Sequence, residues 1–143
     1  MKIDKRGLGA MPQARLVDFW ARAIAARSPV MLEQLRGVAR DLIAARSALR
    51  SVMPAEFVNN PPIDLLYALF AADDQAMMVP PLITATGVSG PVARRWLDVL
   101  VDRGLVMERD GRVTLTEAGF VMAAEACQAI IESRTGAAGA TLN

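Results

Sequence analysis

The pattern of apolar and polar positions predicts a mainly helical chain. Apolar residues recur at three- and four-residue spacing over residues 13–27, 29–52, 63–72, 90–103 and 116–133. This is the spacing of one buried helix face. The longest of these stretches, residues 29–52, has a narrow apolar stripe at Leu35, Val38, Leu42, Ala45, Leu49 and Val52. Such a stripe is typical of a helix that packs against a partner helix.

Residues 79–104 contain the signals of two helices joined by a tight turn. Pro80 and Pro81 suit the first turn of one helix, Gly87 can adopt the left-handed conformation that ends it, and Ser89 can cap the next helix. The second helix is predicted over residues 90–103. Its inward face contains Ala93, Leu97, Leu100 and part of Trp96, and its outward face contains Pro91, Arg94, Arg95, Asp98 and Asp102.

A hairpin is predicted directly after these helices. Residues 105–109 and 112–116 alternate between apolar and polar side chains, and Asp110-Gly111 between them is a strong two-residue turn signal. A helix-turn-helix followed by such a hairpin is a winged helix-turn-helix, which commonly places one helix in the major groove of DNA. The predicted fold is therefore mainly α, a winged helix-turn-helix with a two-stranded wing, preceded by long N-terminal helices.

Helix-breaking residues divide the chain into three predicted segments. Pro54 and the run Asn59-Asn60-Pro61-Pro62 interrupt the helical pattern. We expect a basic helical arm with a role in dimerisation at residues 1–58, the winged helix-turn-helix at residues 59–134, and a disordered Gly/Ala-rich tail at residues 135–143. The predicted dimer contacts in the arm are Leu35, Val38, Leu42 and Leu49.

The net charge of +1 conceals an asymmetry along the chain. Residues 1–52 carry ten basic and four acidic side chains, whereas the remainder carries six basic and eleven acidic ones. The basic half either binds an anionic partner or pairs with the acidic half, within one chain or between chains. Residues 29–52 contain four of these basic side chains, Arg36, Arg40, Arg46 and Arg50. They form either a solvated helix face or a set of phosphate contacts.

The composition argues against catalysis. The chain has no histidine and one cysteine, so the usual zinc sites and histidine-based catalytic mechanisms lack an essential residue. No phosphate-binding glycine loop or paired acid and base is recognisable, and we predict neither enzyme activity nor a cofactor or metal. Cys127 is predicted to be a buried structural thiol, with redox or ligand sensing as the alternative. Neither a membrane-spanning run nor a secretory signal is recognisable, which predicts a cytoplasmic protein without a membrane partner.

Several motifs between residues 63 and 131 occur in a characteristic order. They are Leu82-Ile83, Gly87-Val88-Ser89, Arg94-Arg95-Trp96-Leu97, Leu100, Gly104-Leu105-Val106, Arg109-Asp110, Arg112 and Leu115-Thr116-Glu117-Ala118-Gly119. Together they resemble the winged-helix domain of the MarR-type bacterial transcription regulators, and a subgroup in sphingomonad-like bacteria, with a similar Ala-Arg-Arg-Trp helix, is closer still. The resemblance implies a sequence-specific DNA-binding regulator that acts on double-stranded DNA as a homodimer.

The resemblance also implies roles for individual residues. Pro91, Arg94 and Arg95 would face bases or phosphates, and Arg112 would reach toward the minor groove with Asp110 orienting it. The family's wing is usually longer than a two-residue turn, so shallower groove contact is expected here. Asp98 would repel a phosphate at short range, but it could also accept from a cytosine amine or hold an arginine in place. The complete predicted DNA-binding set is Ser89, Pro91, Arg94, Arg95, Asp98, Arg109 and Arg112.

Two further expectations concern ligands and partners. Regulators of this family often bind small aromatic effectors, and a pocket for one could be lined by Trp20, Phe57, Tyr67 and Trp96, although aromatic residues at helical spacing are also typical of a core. The alternative to DNA binding is a winged helix that serves as a protein-interaction or assembly module, with the apolar helices and the acidic body as its surface.

Overall fold

The computed structural model describes residues 29–142, with side chains to residue 136. The helix predicted over residues 13–27, with Trp20, lies outside this part of the chain. The helices are α1 (Pro29–Arg50), α2 (Ala55–Val58), α3 (Pro61–Ala71), α4 (Val79–Thr84), α5 (Gly90–Asp102) and α6 (Glu117–Leu142). The strands are β1 (Ala76–Met78), β2 (Val106–Arg109) and β3 (Arg112–Leu115), and a 3-10 turn spans Asp73–Gln75. The described chain is therefore mainly helical, with a small antiparallel sheet.

The sheet has three strands in the order β1-β3-β2, so a strand that the sequence did not predict, β1, adds to the predicted two-stranded hairpin. Strand β1 pairs antiparallel with β3, with Met77 opposite Val113 and Met78 opposite Arg112. The pairing continues one residue further, where the amide of Val79 donates to the carbonyl of Gly111 at 2.8 Å. A three-residue strand directly before a helix is too short to show the alternation by which strands are recognised.

The hairpin between β2 and β3 is confirmed. Asp110 and Gly111 both have positive φ, 54° and 77°, as a type I′ turn requires. Arg109 and Arg112 consequently face each other across the base of the turn. Both arginine side chains are exposed at the tip of the sheet.

The core of the domain lies between α1, α3 and α6 and extends to the inner faces of α5 and the sheet. Helix α1 contributes Leu35, Val38 and Ala39, all buried. Residues 29–50 therefore pack onto the body instead of forming a separate arm. The assignment of Leu35 and Val38 to a dimer seam does not fit this structure, because their own chain covers both side chains.

The last helix is longer than the sequence predicts. Its backbone is helical through Leu142, beyond the expected end near residue 133 and into the stretch predicted as a disordered tail. Three alanines between residues 137 and 140 explain the difference, because the high helix propensity of alanine opposes the cost of Gly136 and Gly139. None of the helices in the described part of the chain is long and apolar enough to cross a membrane.

Cys127 is buried in α6, as predicted, with no exposed surface. Burial raises the pKa of its thiol to about 11. We expect Cys127 in the native protein not to react with a disulfide reagent such as DTNB at pH 8, because the thiolate is the reactive form. Reaction should become rapid once the protein is unfolded in guanidinium chloride. Rapid labelling of the native protein would instead support a sensing role.

Candidate nucleic-acid interface

The turn between α4 and α5 forms as the sequence predicts. Gly87 has a φ of 75°, and the hydroxyl of Ser89 accepts from the amide of Val92 at 3.4 Å. Thr86 is fully buried; its hydroxyl donates to the carbonyl of Ile83 at 2.7 Å and accepts from the amide of Val88 at 3.2 Å. The turn therefore satisfies its own polar groups and fixes the start of α5.

Helix α5 presents the predicted faces. Ala93, Leu97 and Leu100 are buried. The opposite face is exposed, and its residues are Gly90, Pro91, Arg95, Asp98 and Asp102. The outward face of α5 is thus open to solvent on the part of the domain that the structure describes.

Arg94 does not share this open face. Its guanidinium donates to Glu108 through Nη1 at 3.0 Å and through Nη2. It also donates to Oδ1 of Asp98 through Nε at 3.2 Å and through Nη2 at 2.8 Å. We refer to Arg94, Asp98 and Glu108 as the Arg94 clamp. The clamp joins α5 to β2, raises the pKa of Arg94 and lowers that of Glu108, chiefly through the hydrogen bonds between them.

Glu108 is not among the functional residues that the sequence predicts. Its place in the alternation of β2 was nevertheless informative, because Glu108 lies on the same face of the strand as the buried Val106. A carboxylate on an inward face needs a cationic partner. Arg94, which the resemblance assigns to bases or phosphates, therefore lies against two carboxylates of its own chain.

Three other arginines remain available around the Arg94 clamp. Arg95, Arg109 and Arg112 are exposed, and none of them forms an ion pair with a carboxylate of the described residues. Asp110 therefore does not pair with Arg112 here. The clamp holds α5 against β2, the strand that leads to the two arginines at the hairpin tip.

The arginines of α1 are engaged within the chain. Arg36 donates to the carbonyl of Ala71 at 2.8 Å, and Arg46 donates to the carbonyl of Val58 at 2.7 Å. Arg40 is exposed and pairs with Glu33. Of the interpretations that the charge asymmetry left open, pairing within one chain therefore describes α1, and these arginines do not form a phosphate-binding face.

Arg50 connects α1 to the helix-turn-helix. It donates through Nε to Oδ1 of Asn59 at 2.6 Å and through Nη2 to the carbonyl of Thr86 at 3.1 Å. The side-chain amide of Asn59 in turn donates to the carbonyl of Gly87 at 3.2 Å. A side chain at residue 87 would begin 2.7 Å from Nε of Arg50. The turn is therefore held against α1 by side chains far from it in sequence.

Asp64 lies beneath this connection and is 5% exposed. Its carboxylate accepts from the amide of Asn60 at 3.2 Å and lies 3.5 Å from nitrogens of Arg46 and Arg50. Burial nevertheless raises the pKa of Asp64 above its usual value, since the cost of desolvating the charge outweighs these contacts.

The raised pKa of Asp64 predicts a pH effect on stability. Between the unfolded and the raised folded pKa, the folded state binds more protons, so this group favours folding increasingly as pH falls. We expect the wild type to gain stability relative to Asp64→Asn between pH 7 and about pH 4.5. Urea midpoints of both proteins measure this difference. A relative loss by the wild type on acidification would show that the arginines govern the titration.

Three of the four aromatic residues proposed for an effector pocket, Phe57, Tyr67 and Trp96, lie in the described part of the chain. Phe57 is 73% exposed, and Tyr67 packs partly buried against the core. Trp96 borders a cleft of about 530 Å³ between α3, α5 and α6, with Leu66, Arg103 and Met122 among the other lining residues. Neither Phe57 nor Tyr67 lines this cleft, so these three described aromatic residues do not share it.

The chain was found to match no model of a known protein family, no curated protein and no solved structure. The candidate interface consists of the exposed face of α5, with Arg95, and the hairpin tip, with Arg109 and Arg112.

Proposed function

We propose that this protein is a sequence-specific DNA-binding transcription regulator of the MarR-like kind, in which α5 enters the major groove. The observation that carries the proposal is Arg95, which is exposed and without an ion pair among the described residues, on the side of α5 opposite its buried face. An α-helix with its side chains is about 10–12 Å across, which suits a major groove about 12 Å wide.

The order of elements supports this proposal. Helix α3 is followed by β1, the two helices α4 and α5 and then the hairpin, and β3 lies at the centre of the sheet. A helix-turn-helix flanked by a small antiparallel sheet is the arrangement expected of a winged helix-turn-helix. In that arrangement α5 is the recognition helix and the hairpin is the wing.

The charges of the interface are compatible with a polyanion. The Arg94 clamp contains the carboxylates of Asp98 and Glu108, and Arg94 partly neutralises both. The guanidinium groups of Arg95 on α5 and of Arg109 and Arg112 at the hairpin tip are exposed and form no ion pair with a carboxylate of the described residues. Because the turn of the wing has only two residues, we propose that the tip arginines contact phosphates and do not reach deeply into the minor groove.

A homodimer forms part of the same proposal, because helix-turn-helix proteins commonly read two half-sites as dimers. Of the four predicted seam residues, only Leu49 is exposed, at 43%. It is close in sequence to three other exposed apolar side chains, Val52, Met53 and Phe57. We propose that dimerisation uses this apolar cluster of residues 49–57.

The proposal is tested by selecting duplexes from a random pool with the full chain at two salt concentrations. We expect one sequence to be enriched, with an affinity that falls steeply as salt rises, because phosphate contacts release counterions. Failure to retain any duplex at low salt would overturn the proposal.

The apolar cluster of residues 49–57 also supports a second candidate function, an assembly module that does not bind DNA. The four exposed large apolar side chains of this cluster lie within nine residues and offer a protein-protein contact. Size-exclusion chromatography with and without the selected duplex separates the candidates. A complex that forms through this cluster and is indifferent to DNA would favour the assembly module.

A further inference from the structure

The Arg94 clamp gives Asp98 a specific task if α5 binds DNA, and this inference rests on the proposed function. We infer that Arg94 is a positioning residue that does not touch DNA, and that the Asp98 it holds accepts a hydrogen bond from a cytosine amine, next to a guanine bound by Arg95. The protein would then select duplexes with G·C pairs at the positions that Arg95 and Asp98 contact.

The first step concerns Arg94 itself. All three of its side-chain nitrogens already donate to Asp98 or Glu108. With two carboxylates and one guanidinium, the Arg94 clamp carries a net negative charge. A phosphate placed against it would be repelled. The clamp is therefore suited to face the base edges and not the backbone.

The second step concerns the oxygens of Asp98. Oδ1 of Asp98 accepts both hydrogen bonds from Arg94, and Oδ2 accepts neither of them. The side chain is 58% exposed. An ionised carboxylate only accepts hydrogen bonds, and the base donors in the major groove are the amines of cytosine and adenine. Adenine also presents the N7 lone pair beside its amine, which would repel a carboxylate, so cytosine is favoured.

The third step concerns the neighbour of Asp98 on the same face. Arg95 lies three residues earlier, and residues at that spacing have Cβ atoms about 5–6 Å apart. Successive base pairs are about 3.4 Å apart along the helix axis, so the two side chains can reach the same or adjoining pairs. Arginine binds O6 and N7 of guanine in a bidentate manner. Together the two side chains fit a guanine and a cytosine.

Asp102 provides a matched control for Asp98. It is exposed on the same face one turn later and carries the same charge, but it accepts no hydrogen bond from Arg94. Asp102 is the last residue of α5, one turn further than Asp98 from the N-terminal end that enters the groove in helix-turn-helix proteins. Loss of its charge should not change the preferred base.

The test repeats the duplex selection with the full-length wild type, Asp98→Asn and Asp102→Asn. We expect sites of the wild type to have a fixed C·G pair, and Asp98→Asn to lose its preference there by about 5- to 100-fold. Asp102→Asn should keep the preference. Because both side chains are exposed, both variants should fold, which thermal unfolding verifies.

A second comparison addresses the positioning role of Arg94. Arg94→Gln should weaken the preference for the same C·G pair without changing the dependence of affinity on salt. Arg112→Gln, which removes a proposed phosphate contact, should lower the salt slope by about one and leave the base preference intact. A merely structural role of Arg94 would not produce a change of preference at a single base pair.

The outcomes separate the inference from the proposed function. If the wild type selects no duplex, the proposed function fails and the inference fails with it. If duplexes are selected but lack a fixed C·G pair, or Asp98→Asn prefers the same pair as the wild type, only the inference is overturned. A salt slope lowered by Arg94→Gln as much as by Arg112→Gln would place Arg94 on a phosphate and also overturn it.

Discussion

Gly119→Ala is expected to lower the free energy of unfolding by about 3 kcal/mol or more, at the upper end of the usual cost of overpacking. The Cβ atom of an alanine at this position would lie 2.0 Å from the carbonyl oxygen of Leu105 and 3.1 Å from Cδ2 of Leu115. The carbonyl cannot move aside easily, because it also accepts from the amide of Thr116 at 3.0 Å. Helix α6 would have to move away from the hairpin.

Gly37→Ala is the matched control for this prediction. Gly37 also lies within a helix, but an added Cβ atom would meet nothing within 4 Å. This variant should gain about 0.5–1 kcal/mol from helix propensity alone. Urea denaturation followed by circular dichroism measures both variants. A change below 0.5 kcal/mol for Gly119→Ala would show that α6 and the hairpin are not packed this closely.

Arg95→Ala is expected to weaken binding to the best selected duplex by about 1–3 kcal/mol, which is the value of one bidentate contact with a base. The physical reason is that Arg95 has donors free to meet a base edge, whereas Arg94 already makes four hydrogen bonds to Asp98 and Glu108. Discrimination should relax at one base position. Fluorescence anisotropy with labelled duplexes measures affinity and discrimination together.

Arg134→Ala is the control for Arg95→Ala, because it removes the same charge from an exposed position on α6. Its affinity should fall only slightly, through the change in net charge. If Arg95→Ala binds the duplex as tightly as Arg134→Ala, Arg95 is not part of the interface.

The local features of the fold could be predicted from the sequence. Gly87 and Ser89 specify the turn before α5, Asp110-Gly111 specifies the hairpin, and the spacing of Ala93 and Leu97 identifies the buried face of α5. Each of these signals is contained within a few neighbouring residues. The physical causes are equally local, namely the freedom of glycine at positive φ, helix capping and helical periodicity.

The remaining features depend on contacts between distant residues. The apolar stripe of α1 predicted a partner helix, but only the assembled domain shows that α3 and α6 of the same chain provide it. The sequence around Arg94 does not show its pairing with Glu108, because Glu108 lies on another element. The resemblance therefore implied a DNA contact for Arg94. Likewise, β1 has too few residues to be recognised until β3 is beside it. In each case the pattern indicated the need for a partner without identifying it.

The central claim is that DNA contacts the exposed face of α5 and the hairpin tip. It is tested most directly by a nitrogen-15 NMR titration of the full chain with its selected duplex. The account predicts that the largest shifts fall on backbone and guanidinium signals of Ser89, Arg95, Arg109 and Arg112. The claim is contradicted if the signals of these four residues stay unchanged during the titration while those of residues 49–57 shift with protein concentration.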